Sequence, residues 1–218
     1  MVFRNRSDAG RRLAALLADY RARAVVVLGL PRGGVVVAYE VAELLDAPLD
    51  VLPARKLGAP MNPEFAIGAM APGVIQVEEE LCARLGISRD HVAREIGLRQ
   101  FELERMGALY RTVQPGVDVT DKTVILVDDG LATGATAAAA VESLRRRRPA
   151  RIVFAAPVGS QPSVAALGTR ADVVVCPWTP EDFVAVGDYY EDFGPTSDEE
   201  VLGCLRRAQA EHPADARL

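Results

Sequence analysis

Four runs along the chain are apolar at nearly every position: AVVVLGL at 24–30, TVILV at 123–127, RIVFAAPV at 151–158 and ADVVVCPW at 171–178. A fifth, LDVLPARKL at 49–57, is apolar mainly in its first half. Short runs rich in β-branched residues predict buried strands. The stretches between them change period. Residues 8–23 place Leu13, Leu16, Leu17 and Tyr20 on one helical face, with Ser7 or Asp8 as the N-cap. Further helices are predicted at about 35–45, 88–112, 136–147 and 197–211, with a short one in QPSVAALGT at 161–169. In the longest, Ser88 is placed to cap and Glu95 pairs with Arg99 four residues on. Strands apolar on both faces, alternating with helices, predict an α/β fold. Its core is a parallel sheet of about five strands with helices on both faces.

Two segments stand outside this alternation. GAPMNPEFAIGAMAPG at 58–73 is rich in Gly and Pro and reads as a loop, with a short hairpin around Ile67 and Ile75. The tail after Trp178 gathers Phe183, Tyr189, Tyr190 and Phe193. It predicts a small C-terminal unit over 179–218, ending in a helix, beside an α/β core over 1–178.

Composition narrows the function. With 218 residues, half of them hydrophobic, the chain is long enough for one full core. A formal charge of −5 argues against a nucleic-acid partner. The three cysteines, Cys82, Cys176 and Cys204, have no zinc-ligand spacing, and the expectation is reduced thiols in a cytoplasmic protein. No apolar run is long enough to cross a bilayer, and the N-terminus has no apolar signal core, so no membrane partner is expected. Cys176 reads as core filler, and His91 and His212 as exposed. RRRR at 145–148 reads as a solvated helix end, favourable for the dipole.

The chemistry concentrates in TVILVDDGLATGATAAAA, 123–140. A buried strand stops at two adjacent carboxylates, Asp128 and Asp129, and a loop almost without side chains leads into an alanine-rich helix. Ligands of open parallel sheets sit at the carboxyl ends of strands. Exposed N–H groups at a helix start favour an anion, and small residues let a phosphate approach the backbone. Thr133 and Thr136 add hydroxyl donors. A Walker loop would need a lysine that is missing here, and GLPRGG at 29–34 does not fit a dinucleotide fingerprint. A strand end with one capping Asp would explain one acidic residue and one glycine, not the whole order.

VILVDDGLATGAT, 124–136, resembles the phosphoribosyl-pyrophosphate (PRPP) signature of the type I phosphoribosyltransferases. The resemblance implies a core with a small C-terminal hood and transfer of 5-phosphoribosyl from PRPP to a nitrogen acceptor, in nucleotide metabolism. Asp128 and Asp129 would bind the ribose hydroxyls and meet Mg2+, directly or through water. Gly130, Leu131, Ala132, Thr133, Gly134, Ala135 and Thr136 would cradle the 5′-phosphate. GLPRGG holds the place of the family's pyrophosphate loop, with Arg32, Gly33 and Gly34 as ligands and an unusual, often cis, peptide at Pro31–Arg32 or Arg32–Gly33. Lys56, one of only two lysines, would reach a phosphate from the end of the second core strand. A mobile loop over 57–76 would close on PRPP. In the hood, DFVAVGDYYEDF at 182–193 resembles the purine-binding segment of hypoxanthine-guanine phosphoribosyltransferase, which implies that Phe183 stacks on an acceptor base and the Val184 backbone bonds to it. The other reading is that these aromatics only pack the hood, and Trp178 is a further base-binding candidate. The family implies a homodimer. A non-catalytic PRPP-binding regulator on the same fold, and a Mg2+-dependent phosphatase using the acidic pair, are the competing readings.

Overall fold

The structure is a computed structural model that describes residues 2–21 and 23–211. In chain order the elements are α1 (Arg6–Leu16), β1 (Val25–Gly29), α2 (Gly33–Leu45), β2 (Leu49–Val51), β3 (Arg55–Ala59), β4 (Asn62–Ala71) and β5 (Val74–Val77). There follow α3 (Glu79–Arg84), α4 (Arg89–Arg111), β6 (Thr123–Val127), α5 (Ala135–Arg145), β7 (Arg151–Ala155), α6 (Gln161–Leu167), β8 (Val173–Val175) and α7 (Asp198–Glu211). Single 3₁₀ turns occupy Ala18–Tyr20 and Val186–Tyr189.

Five strands form the expected parallel sheet, in the order β2-β1-β6-β7-β8. Successive side chains on a strand point to opposite faces, which divides the interior in two. Val25, Val27, Ile125, Val127, Val153 and Ala155 face α1, α2 and α7. Val26, Leu28, Val124, Leu126, Ile152 and Phe154 face α5 and Leu167 of α6. This two-sided burial is why the runs are apolar throughout.

The second core strand is shorter than LDVLPARKL suggests. β2 ends at Val51, and Arg55 and Lys56 belong to β3 of a separate antiparallel sheet, β3-β4-β5. Pro53 has no N–H to give to a ladder, which fits the break. Lys56 therefore does not end a strand of the parallel sheet. The Gly- and Pro-rich stretch expected to be loop is mostly this sheet. β4 sends Ala69 and Ala71 onto α5 and Ile67 and Met70 toward α3 and α4. Its glycines mark close approach: a Cβ on Gly68 would collide with the backbone carbonyl of Gln76 on β5. The alanines of α5 thus serve packing on two sides. Ala137, Ala139 and Ala140 are buried, and the Ser143 hydroxyl donates to Pro72 O at 2.7 Å.

Other differences are local. α1 starts at Arg6 and stops at Leu16, and its cap is Asn5, whose side chain accepts from Asp8 N, rather than Ser7 or Asp8. Leu13 and Leu17 are buried while Leu16 is exposed. Ser88 caps α4 as expected, and Arg99 donates to Glu95 at 3.2 Å. His91 is half-buried, with Nε2 3.0 Å from Gly58 O, rather than exposed. His212 lies outside the described residues. Asp50 is fully buried, but it accepts from Arg111 at 2.6 Å, Val51 N at 2.7 Å and Val117 N at 3.0 Å. A buried carboxylate so fully bonded ties the end of α4 to the sheet edge. Among the described residues, no helix is long and apolar enough to cross a membrane.

Candidate active site

Asp128 and Asp129 directly follow β6, the middle strand of the sheet, and the 30–34 turn follows its neighbour β1. Parallel pairing brings the two carboxyl ends together: Gly29 lies beside Val127, and Leu30 N donates to Val127 O at 2.9 Å. The peptide between Pro31 and Arg32 is cis, at one of the two positions the resemblance singled out. Of the two glycines after it, Gly34 is required by the backbone at the acidic pair, and Gly33 abuts the pair's side chains. A Cβ on Gly34 would stand 2.8 Å from Asp128 Cα and from Val127 O, and one on Gly33 would run into Asp129 Oδ2 and Arg6 Nε.

The two aspartates are treated differently. Asp129 Oδ2 accepts from Arg6 Nε at 2.7 Å. The Arg6 guanidinium also lies 3.9 Å from the centre of the Phe193 ring and donates to Gly194 O at 2.8 Å. Tyr190 donates its hydroxyl to Asp129 O at 2.6 Å, and burial raises the Tyr190 hydroxyl so that it stays a donor. Asp128 accepts from Asp129 N at 2.9 Å. Burial first, and then the Asp129 charge, raise the Asp128 carboxyl well above the ordinary range. The pair thus combines one charge-compensated carboxylate with one that resists ionising.

The loop after the pair is held from below. Leu131 is buried, its N donates to Val158 O at 2.9 Å, and its O accepts from Ser160 N at 2.9 Å. Ser160 and Ser163 hydroxyls both donate to Ala132 O, at 2.8 and 2.6 Å. Gly134 takes φ +77°, a left-handed conformation that glycine adopts without cost, and opens α5 with no side-chain cap. The first N–H groups of that helix lack intrahelical partners: Ala135 N donates to Thr133 Oγ1 at 3.5 Å, and Thr136 presents a backbone donor at the positive end of the dipole. Thr133 is exposed beside them. Ser160 and Ser163 carry no motif, and nothing in the sequence flags them.

The aromatic tail returns over this site and joins the N-terminus there. Phe3 N donates to Tyr189 O at 2.8 Å, and Phe3, Tyr190 and Phe193 form one aromatic cluster. Val186 packs so tightly on Gly130 that a Cβ there would collide with it. Phe183 stacks on Tyr189, with ring centres 5.6 Å apart. Val184 is 82 % exposed. Trp178 lines an apolar hollow with Phe3, Leu13 and Leu16, and its Nε1 is buried without a partner among the described residues. Cys176 is half-buried, its thiol pushed up to about 12 by desolvation. It is not an activated nucleophile.

Arg32 donates to Thr196 O at 3.1 Å and lies 3.4 Å from Asp198. It opens a cleft of about 530 Å³ that also takes in Arg55, Lys56, Arg99 and Arg105. Arg55, Arg99 and Arg105 come from β3 and α4, and sequence motifs pointed to none of the α4 residues. No group of three or more His, Cys, Asp or Glu among the described residues is arranged to hold a metal. Asp128 and Asp129 fit a Mg2+ ion only as two ligands among several, in the manner of ions that arrive with substrate phosphates.

A family model described as "Phosphoribosyl transferase domain" matches residues 3–193. The chain belongs to that family. Among curated relatives, a "Putative phosphoribosyl transferase" from two strains of Mycobacterium tuberculosis is 46 % identical over 209 residues, covering 95 % of this chain and 47 % of the relative. The chain therefore spans about half the length of the curated relatives it matches. Among solved structures, the protein TT1426 from Thermus thermophilus is 44 % identical, with a TM-score of 0.78, covering 95 % of this chain and 99 % of that one. The fold of the phosphoribosyl transferase domain, a five-stranded parallel sheet flanked by helices, is the one expected from the sequence.

Proposed function

We propose that the protein transfers 5-phosphoribosyl from PRPP to a nitrogen acceptor, with release of pyrophosphate. The observation that carries this reading is the abutment of Gly33 and Gly34 against Asp129 and Asp128, the acidic pair whose loop leads into α5. One surface thus offers carboxylates to ribose hydroxyls, backbone donors of 130–136 to a 5′-phosphate, and Arg32 with the 33–34 amides to a diphosphate.

Phosphoribosyl transfer passes through a cationic, oxocarbenium-like ring while negative charge builds on the departing diphosphate. The protein therefore needs positioned charge rather than a covalent nucleophile. Asp129, held by Arg6 and by the Tyr190 hydroxyl on its carbonyl, fixes one ribose hydroxyl. Asp128 accepts from the other, and its reluctance to ionise is relieved when a cationic ring forms above it. Arg32 and Lys56 face the diphosphate. Mg2+ held by Asp128, Asp129 and the substrate's own oxygens would neutralise part of the diphosphate charge. The tip between β3 and β4, where Met61 is 95 % exposed, is the element of 57–76 placed to close over the donor. Phe183, with one face on Tyr189, offers its other face to a planar acceptor, and the Val184 backbone offers polar contacts. A nucleobase is the acceptor this arrangement suits, in a cytoplasmic homodimer.

The test is pyrophosphate release from PRPP, with and without Mg2+, across a panel of purines, pyrimidines and simple amines. Turnover with one acceptor class, abolished in the Asp128→Asn, Asp129→Asn double variant, supports the reading. PRPP binding without turnover on any acceptor would replace it with a regulator.

A further inference from the structure

The cleft beside the 31–34 turn is larger and more cationic than those loop residues alone would make it. Among the described residues its cations are Arg32, Arg55, Lys56, Arg99 and Arg105, and the carboxylate of Glu102 lies among them. Glu102 Oε1 accepts from Arg99 Nη1 at 2.7 Å, and its Oε2 lies 3.5 Å from Arg55 Nε. Arg99 also donates to Glu95 at 3.2 Å, and Arg105 lies 3.6 Å from Asp198, the carboxylate shared with Arg32.

Arg55 is anchored by its other nitrogens. Nη1 donates to Pro31 O at 3.3 Å and Ala54 O at 3.0 Å, and Nη2 donates to the Met106 sulfur at 2.6 Å. Desolvation lowers its guanidinium below the ordinary value. Like charges crowded in a partly buried cleft need anions among them, and here Glu102, Glu95 and Asp198 supply three carboxylates to the four arginines. Glu102 is a single carboxylate bridging two guanidinium groups, where a dianion would satisfy more of them.

We propose that this cleft is a binding site for a diphosphate in which α4 takes part. Arg99 and Arg105 are ligands, and Glu102 is an internal stand-in that the anion displaces. The proposal rests on the phosphoribosyl-transfer reading for the identity of the anion. It adds the helix that holds the anion and a carboxylate that competes with it. Its chemistry is that of charge-assisted hydrogen bonds, strongest where a guanidinium meets phosphate oxygens in a fork. Glu102 sets the affinity: it screens the Arg55 and Arg99 guanidinium groups from each other and swings off them on binding. Product release is then assisted, since Glu102 returns as the diphosphate leaves.

The experiment titrates the wild-type protein and its R99A, R105A and E102Q variants with inorganic pyrophosphate by calorimetry, at two salt concentrations. R99A and R105A should each weaken binding about tenfold, the scale of one charge-assisted bond, and flatten the salt dependence. E102Q should tighten it several-fold, an effect opposite in sign to that of a merely structural loss. R105A, half-exposed and 3.6 Å from its carboxylate partner, keeps the test open should R99A fail to fold. Unchanged affinity in R105A and R99A, weaker binding in E102Q, or no pyrophosphate binding to the wild type would each overturn the proposal. The wild-type acceptor panel separates the two ideas: Arg105-dependent pyrophosphate binding in a wild-type protein that turns over PRPP with no acceptor would keep this site while removing the transfer reading.

Discussion

Arg6 Nε lies 2.7 Å from Asp129 Oδ2, although the two residues stand 123 positions apart in the chain. The contact joins the first turn of α1 to the end of the central strand, and the same guanidinium lies against Phe193 of the aromatic tail. Both side chains are largely shielded from water, so breaking the pair strands a carboxylate. Arg6→Ala should lower unfolding free energy by about 3 kcal/mol. Chemical denaturation checks it, and PRPP affinity should fall in the same variant.

Asp128 opposes stability once it ionises. Its carboxyl is raised by burial and by Asp129, so the folded state binds its proton more tightly than the unfolded chain does. Stability then declines as pH rises from the ordinary carboxylate range through the folded-state value, and stays lower above it. Asp128→Asn should raise the melting temperature at neutral pH while removing at least two orders of magnitude of turnover. The gain in melting temperature should shrink in acid. Paired melting curves at neutral pH and near pH 4 check the sign.

Two glycines should behave in opposite ways. Gly34→Ala puts a methyl against the backbone of Val127 and Asp128, which cannot yield, and should cost stability and donor binding together. Gly203, on α7, has open space where a Cβ would stand. Gly203→Ala should add about 0.5–1 kcal/mol by restricting the unfolded chain. Denaturant midpoints of the two variants decide this.

Asp172 gives a pH response far from the site. Its carboxylate takes a forked pair from Arg145, at 2.8 and 2.9 Å, and accepts from Ile152 N at 2.6 Å. The Arg145 hydrogen bonds, followed by the bond from Ile152, hold it below the ordinary carboxylate value of 3.8. Its contribution is complete above that value and is lost as pH falls through the depressed one. Asp172→Asn should therefore lower the melting temperature at pH 7, and that difference should close as the pH falls below the ordinary carboxylate value.

Legibility followed the range of the interaction. The strands of the parallel sheet were readable because burial on both faces demands unbroken apolar runs. The acidic pair after β6 and the small-residue loop leading into α5 were readable because both are local to one segment. The antiparallel sheet was not, since its Gly and Pro residues read as breakers until β5 and α5 lie against them. The limits of α1 were missed because Asn5 caps it by a side-chain geometry that Ser7 and Asp8 match in type.

By itself the sequence determined the α/β class, the acidic pair at the end of a buried strand with the small-residue loop after it, and the turn that carries Arg32. These depend on neighbours along the chain and on burial, which residue type encodes directly. Only the tertiary structure decided that Arg6 compensates Asp129, that Ser160 and Ser163 hold the loop carbonyl, and that α4 lends Arg99 and Arg105 to the cleft beside β1. Each of those joins a charge or a hydroxyl to a partner distant in sequence. An arginine on an exposed helix face has no local signature to distinguish a ligand from a solvated charge.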